Sequence, residues 1–150
     1  MKYEYISVLV KKIPLESERI NKDKILIKQK KNKTRMIKNQ TRKKILTKNT
    51  KHCKTLLSKT KGLMFTTKKT DEGLIFTFNT EQKWSIHMLF VFYPIDVLWL
   101  NKNKEVVDLR KNLKPFILSA KPKQEALYII EIPAGIIQKT KTGIGDKIIF

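Results

Sequence analysis

A chain of 150 residues, 41% of them apolar, is long enough to bury one ordinary core and too short for several. Its formal charge of +20 is unevenly spread: residues 1–35 hold eleven Lys/Arg against four Asp/Glu, residues 36–64 nine against none, and residues 65–150 thirteen against nine. The single cysteine, Cys53, excludes an intrachain disulfide, and the apolar stretch Ile6 to Val10 is too short for a secretory signal core and follows Glu4, so a cytoplasmic location is expected.

Residues 1–35 read as a basic extension with only marginal strand patterns, at KYEYISVLV and around Lys24 to Lys28. Lysines that neutralise phosphates gain from counterion release, which makes the extension a candidate for docking nucleic acid or an acidic partner. Against that, Arg19, Arg35, Arg42 and Arg110 are the only arginines among 33 basic residues, and no aromatic is interleaved with the lysines between 16 and 61. Arginine is the side chain that reads bases and phosphates in a bidentate manner. Met36 reads as a natural start for a single β-rich domain spanning 36–150, with residues 1–35 as a basic extension, a disordered arm or an upstream reading of the gene.

MIKN and RKKILTK flank Gln40 and Thr41 as two short strands around a turn. Cys53, Leu56, Leu57 and Thr60 then follow i, i+3, i+4, i+7, which predicts a helix over about 50–61, capped by Asn49 or Thr50 and ended by Gly62. Beyond Gly62 the period becomes two, giving strands at Leu74 to Phe78, Trp84 to Phe92 and Ile95 to Trp99. NKNK is a turn by composition and EVVDL resumes the sheet as a hairpin; PFIL, ALYIIEI and, after the GIGD turn, KIIF are further strands. Many short strands with one short helix predict an all-β fold, a compact jelly-roll-like sandwich or barrel. The apolar run from Trp84 to Leu100 is shorter than the roughly twenty residues of a membrane span and is broken by His87, Pro94 and Asp96, so it reads as two core strands hinged at Pro94 with Met88 and the aromatics turned inward.

Four blocks resemble the family known as domain of unknown function 192, or uncharacterised protein family 0127. SKTKGLMF resembles its GLMFR signature, EGLIFTF its GMLFVF, IHMLFVFYPIDVLWLN its FWMKNTLIPLDIIFID, and YIIEIPAG with GIGDKI its closing LELPAG and GD segment. The resemblance covers roughly residues 44–150. It implies a jelly-roll-like β domain, structural motif positions at Gly62, Leu63, Met64, Phe65, Met88, Pro94, Gly135, Gly145 and Asp146, and no activity. The family's Arg after GLMF is Thr66 here, its KNT is Leu89, Phe90 and Val91, and His87 stands where the family has Trp.

Three polar residues lie inside apolar strands: His87, Asp96 and Glu131. A buried carboxylate must be hydrogen-bonded, paired or neutral, because losing hydration costs several kcal/mol. In one reading the three share a pocket in which a carboxylate orients His87 toward a ligand. In the other, Asp96 accepts backbone N–H groups at the corner of Tyr93, Pro94 and Ile95, Glu131 pairs with a lysine, and His87 is satisfied on a sheet face. SKTK and KTG match penicillin-interacting serine enzymes only by chance composition, and the middle Ser-x-Asn element is absent. His52 and Cys53 are too few for a zinc site, and no P-loop, GxGxxG or GxSxG motif occurs. The sequence therefore predicts no catalytic residue, metal or cofactor. It favours a non-enzymatic β module that binds a small molecule or a partner near Asp96 and Glu131, with nucleic-acid docking through the extension, or a hydrolase using His87 with a carboxylate, as alternatives.

Overall fold

The structure is a computed structural model that describes residues 36–53, 63 and 71–150. Its strands in chain order are β1 (Ile37–Asn39), β2 (Lys44–Thr47), β3 (Asn49–Cys53), β4 (Glu72–Gln82), β5 (Ile95–Leu100), β6 (Val106–Leu113) and β7 (Ala126–Pro133). A helix, α1 (Ile136–Thr140), and a last strand, β8 (Ile148–Ile149), follow. They form a five-stranded sheet ordered β3-β4-β7-β5-β6 and a three-stranded sheet ordered β2-β1-β8. The fold is all-β, and neither sheet closes into a barrel among the described residues. All pairings are antiparallel except β3 with β4.

The larger sheet has a core on each face, which is why β5 is buried along its whole length. On one face Cys53, Leu74, Phe76, Val97, Trp99 and Ile129 pack with Met88 and Val91. On the other, Ile75, Leu98, Leu100, Ile130 and Ile132 pack against Ile37, Leu46 and Ile148 of the smaller sheet and Ile137 of α1. Consecutive strand residues point to opposite faces, so a strand covered on both sides must be apolar at every position. The two sheets approach closely at Gly73, where an added Cβ would lie 3.0 Å from Ile37 Cδ1 and 3.1 Å from Thr47 Oγ1.

Three predicted elements differ. Residues 49–53 are the parallel strand β3 rather than the start of a helix, and the remainder of that predicted helix lies outside the described residues. The short helix among the described residues is α1, introduced by Gly135 in the left-handed region at φ 90°. The segment 84–92 alternates like a strand but makes only an isolated bridge, Ile86 with Ala120. Met88 is buried as expected, whereas Phe90 and Phe92 are exposed. PFIL forms a turn and bend, not a strand. The strand patterns in residues 1–35 lie outside the described residues. So do Gly62, Met64 and Phe65.

Candidate functional site

Register decides which predicted polar residues share a surface. In the β5–β7 pair Asp96 lies opposite Ile132 and Val97 opposite Glu131. Directly opposed residues project to the same face and consecutive residues to opposite faces. Asp96 therefore lies on the face of Leu98 and Ile132, and Glu131 on the face of Val97 and Leu74. The two carboxylates do not share a pocket.

Asp96 is fully buried, and both of its oxygens are used. Oδ1 accepts the Asn112 N–H and Oδ2 the Ile137 N–H, each at 2.8 Å. It satisfies backbone donors, but not at the Tyr93–Ile95 corner. It ties β6 to the first turn of α1, whose N-cap, Gly135, has no side chain to do so. A carboxylate with both oxygens committed to fixed N–H groups has little capacity left for a ligand.

Glu131 is different. Only 8% of the residue is exposed, and no hydrogen bond or ion pair joins its carboxylate to any described residue, so the expected lysine partner is not found among them. The row across the sheet explains why. Lys51 on β3 pairs with Leu74 on β4, which pairs with Glu131 on β7, which pairs with Val97 on β5, which pairs with Arg110 on β6. The acid has an aliphatic residue on each side and a cation one strand further out. Burial pushes its pKa from 4.5 up to about 8, so the group is mostly a neutral acid at pH 7, able both to donate and to accept a hydrogen bond.

Cys53, buried on the same face, has its thiol pKa raised by burial, with the charges of Glu131 and Glu72 adding to the rise and Lys51 opposing it. A thiol raised in this way is a poor nucleophile. His87 is exposed and hydrogen-bonds neither carboxylate, so the geometry brings no base and acid together there. No group of three or more His, Cys, Asp or Glu able to hold a metal occurs among the described residues.

The remaining motif positions are architectural. Leu63 packs half-buried against the Glu131-face core, and Pro94 is half-buried ahead of β5. Gly145 adopts φ 85° in the final turn. Asp146 is a hub that pattern-reading missed in its partners. Its Oδ2 accepts Asn39 Nδ2 at 2.9 Å and the Gly143 N–H at 2.9 Å, and Arg42 Nε donates to both oxygens. Burial alone would raise its pKa, but the hydrogen bonds from Asn39, Gly143 and Arg42 and the Arg42 charge outweigh it and hold the carboxyl below its ordinary value. Asn39 ahead of a tight turn was the available signal, since Asn, Asp and Ser commonly bond turn backbone; Asn39 Oδ1 accepts the Arg42 N–H.

An open groove of about 410 Å³ also lies between β2 and α1, lined by Lys44, Lys48, Lys139 and Asp71 among others. It is on the side of the second core, away from Glu131.

The family domain of unknown function 192, described as an uncharacterized ACR, matches residues 37–150. A UPF0127 protein of Pyrococcus furiosus is 41% identical over 87 residues, covering 58% of this chain and 73% of that one. A UPF0127 protein of Thermococcus sibiricus is 42% identical over 89 residues, and the match spans 56% of its length. In fold, the chain is similar to a protein of unknown function from Novosphingobium aromaticivorans, with a TM-score of 0.68 at 21% identity over 77% of this chain and 82% of that one. A putative transcription regulator from Sinorhizobium meliloti gives a TM-score of 0.63 at 19% identity, over 67% and 79%.

Proposed function

The chain belongs to the domain of unknown function 192 family, and we propose that it is a non-enzymatic binding module whose ligand is a small molecule bearing an amine or guanidine group, held at Glu131. The observation that carries this is a carboxyl set among apolar side chains at a narrowly exposed edge, with no hydrogen-bond or ion-pair partner among the described residues. Desolvation makes such a group costly unless something hydrogen-bonds or neutralises it. A cationic ligand reaching its exposed edge supplies that partner. The other buried carboxylates, Asp96, Asp108 and Asp146, already accept two or more hydrogen bonds each.

The test is a thermal-shift screen of small amines and guanidines at pH 7 against the wild type and Glu131→Gln. A ligand of this site raises the wild-type midpoint and leaves the variant unmoved. Equal shifts in both proteins, or none with any compound, would overturn the proposal.

A further inference from the structure

Two loops at one end of the larger sheet are zipped together by backbone bonds. Met88 N–H donates to Ile117 O at 2.7 Å, Phe116 N–H to Met88 O at 3.0 Å, and Ile86 and Ala120 exchange N–H and C=O. The zip turns Ile86, Met88 and Ile117 toward the core and leaves large apolar side chains outside. Phe92 is 62% exposed, Phe116 56% and Leu118 74%, with Leu89 also exposed. The rings of Phe92 and Phe116 meet edge to face at 5.5 Å, so the two loops present one patch. Phe116 holds a φ of 62°, a left-handed conformation costly for a bulky side chain, while its ring stays exposed.

The segments that carry the patch are rich in lysine: residues 83–94 and 109–124 contain Lys83, Lys111, Lys114, Lys121 and Lys123 and no Asp or Glu, while Arg110 is paired with Asp108. A second copy of the chain would bring the same lysines against these, on a protein of net charge +20. An anionic, apolar-centred surface complements both features at once. We propose that this end of the fold is a docking surface for an anionic lipid bilayer, with Phe92, Phe116 and Leu118 entering the headgroup region and the lysines of the same segments meeting lipid phosphates. Aromatic and leucine tips on lysine-rich segments are the pattern of interfacial attachment. Attachment of this kind needs no spanning helix, and no helix among the described residues is long and apolar enough to span.

The experiment is co-sedimentation of the full chain with vesicles of phosphatidylcholine alone and of phosphatidylcholine with phosphatidylglycerol, for the wild type and a Phe92→Ser, Phe116→Ser, Leu118→Ser triple variant. The wild type partitions onto the anionic vesicles only, and the triple variant binds at least about tenfold more weakly while remaining folded, its thermal midpoint lowered only by the lost Phe92–Phe116 ring contact. A Phe92→Trp protein bound to vesicles with brominated acyl chains is quenched beyond the wild type, which reports insertion that charge alone does not produce. Glu131→Gln binds vesicles as the wild type does, so failure here is distinguishable from failure of the small-molecule site. Equal binding of the triple variant would reduce the interaction to charge and overturn the proposal. So would absence of wild-type binding, or a wild-type dimer in sedimentation velocity that the triple variant abolishes.

Discussion

Replacing Glu131 with Gln at neutral pH should stabilise the unliganded protein. The side chain keeps its shape and hydrogen-bonding capacity but can no longer ionise. In the unfolded chain a glutamate releases its proton near 4.5; in the fold Glu131 holds it to about 8. Between those values the folded state binds more protons than the unfolded one, so stability must fall as pH rises. It is complete below pH 4.5, declines by about 1.4 kcal/mol per pH unit, and levels off above pH 8 with about 5 kcal/mol lost. That is an upper figure, because solvent reaching the 8% of the residue still exposed would hydrate the anion. At pH 7 the wild type has lost about 3 kcal/mol that the glutamine variant keeps. Against a total of roughly 5–15 kcal/mol for a domain of this size, that is readily measured.

Urea unfolding of both proteins at pH 5, 7 and 8.5 supplies the numbers, and subtracting one curve from the other cancels every other titrating group. The two should differ by under about 1 kcal/mol at pH 5 and diverge further in favour of Glu131→Gln as pH rises. A difference that does not vary with pH, or a variant less stable throughout, would mean that Glu131 is ionised and paired in the fold, and the reasoning would be wrong.

Three further substitutions test the other polar residues and the close approach of the sheets. Asp96→Asn presents one acceptor and one donor to two N–H groups, leaving a buried donor unmatched; we expect a loss of about 3 kcal/mol in urea unfolding, and a loss under 1 would show that the tie between β6 and α1 is dispensable. Asp146→Asn removes an anion that accepts from Asn39, Arg42 and Gly143, and should cost about 2–3 kcal/mol at pH 7. Because the folded-state pKa of Asp146 is depressed, that difference is fully present above the ordinary carboxylate range and shrinks as pH falls through it; a difference that grew on acidification would contradict the charge-based account. Gly73→Val forces branched carbon into a space where Ile37 and Thr47 already lie 3.0–3.2 Å from a Cβ, and should lower stability by about 1–3 kcal/mol, whereas a neutral result would show that the two sheets separate freely.

Much of the sheet was legible because two-residue alternation and turn composition are local signals. IDVLWL, EVVDL and ALYIIEI became β5, β6 and β7, and NKNK became the hairpin turn in which Asn101 and Lys104 bond. What failed depended on partners far away in sequence. Asn49–Cys53 is a strand because Glu72–Phe76 lies beside it in parallel, and no pattern within 49–61 announces that neighbour. Trp84 to Phe92 alternates correctly yet stays irregular, because its backbone donors find Ala120 and Ile117 singly rather than along a ladder. The candidate site shows the same limit. That Asp96 and Glu131 are buried could be read from their apolar surroundings, but which face each occupies follows from the register of β5 against β7.

That register gives the two acids opposite physical consequences from nearly equal burial. Asp96 meets two backbone donors that the fold holds in place, so both of its oxygens are satisfied within the fold. Glu131 meets Leu74 and Val97 and has no such donor among the described residues. An apolar or amide side chain there would give a more stable domain at neutral pH, so the acid is a liability to folding alone. The liability becomes an advantage when a cation arrives. Binding then restores the interaction energy that desolvation withheld, and it releases a proton, since the neutral acid must ionise to pair. Affinity for an amine should accordingly rise about tenfold per pH unit below pH 8 and flatten above it. Calorimetric titrations in buffers of different ionisation enthalpy should show close to one proton released per ligand at pH 6. A ligand that binds with no proton release and no pH dependence would be making its contacts elsewhere, and Glu131 would stand as a cost of the fold with no role in recognition.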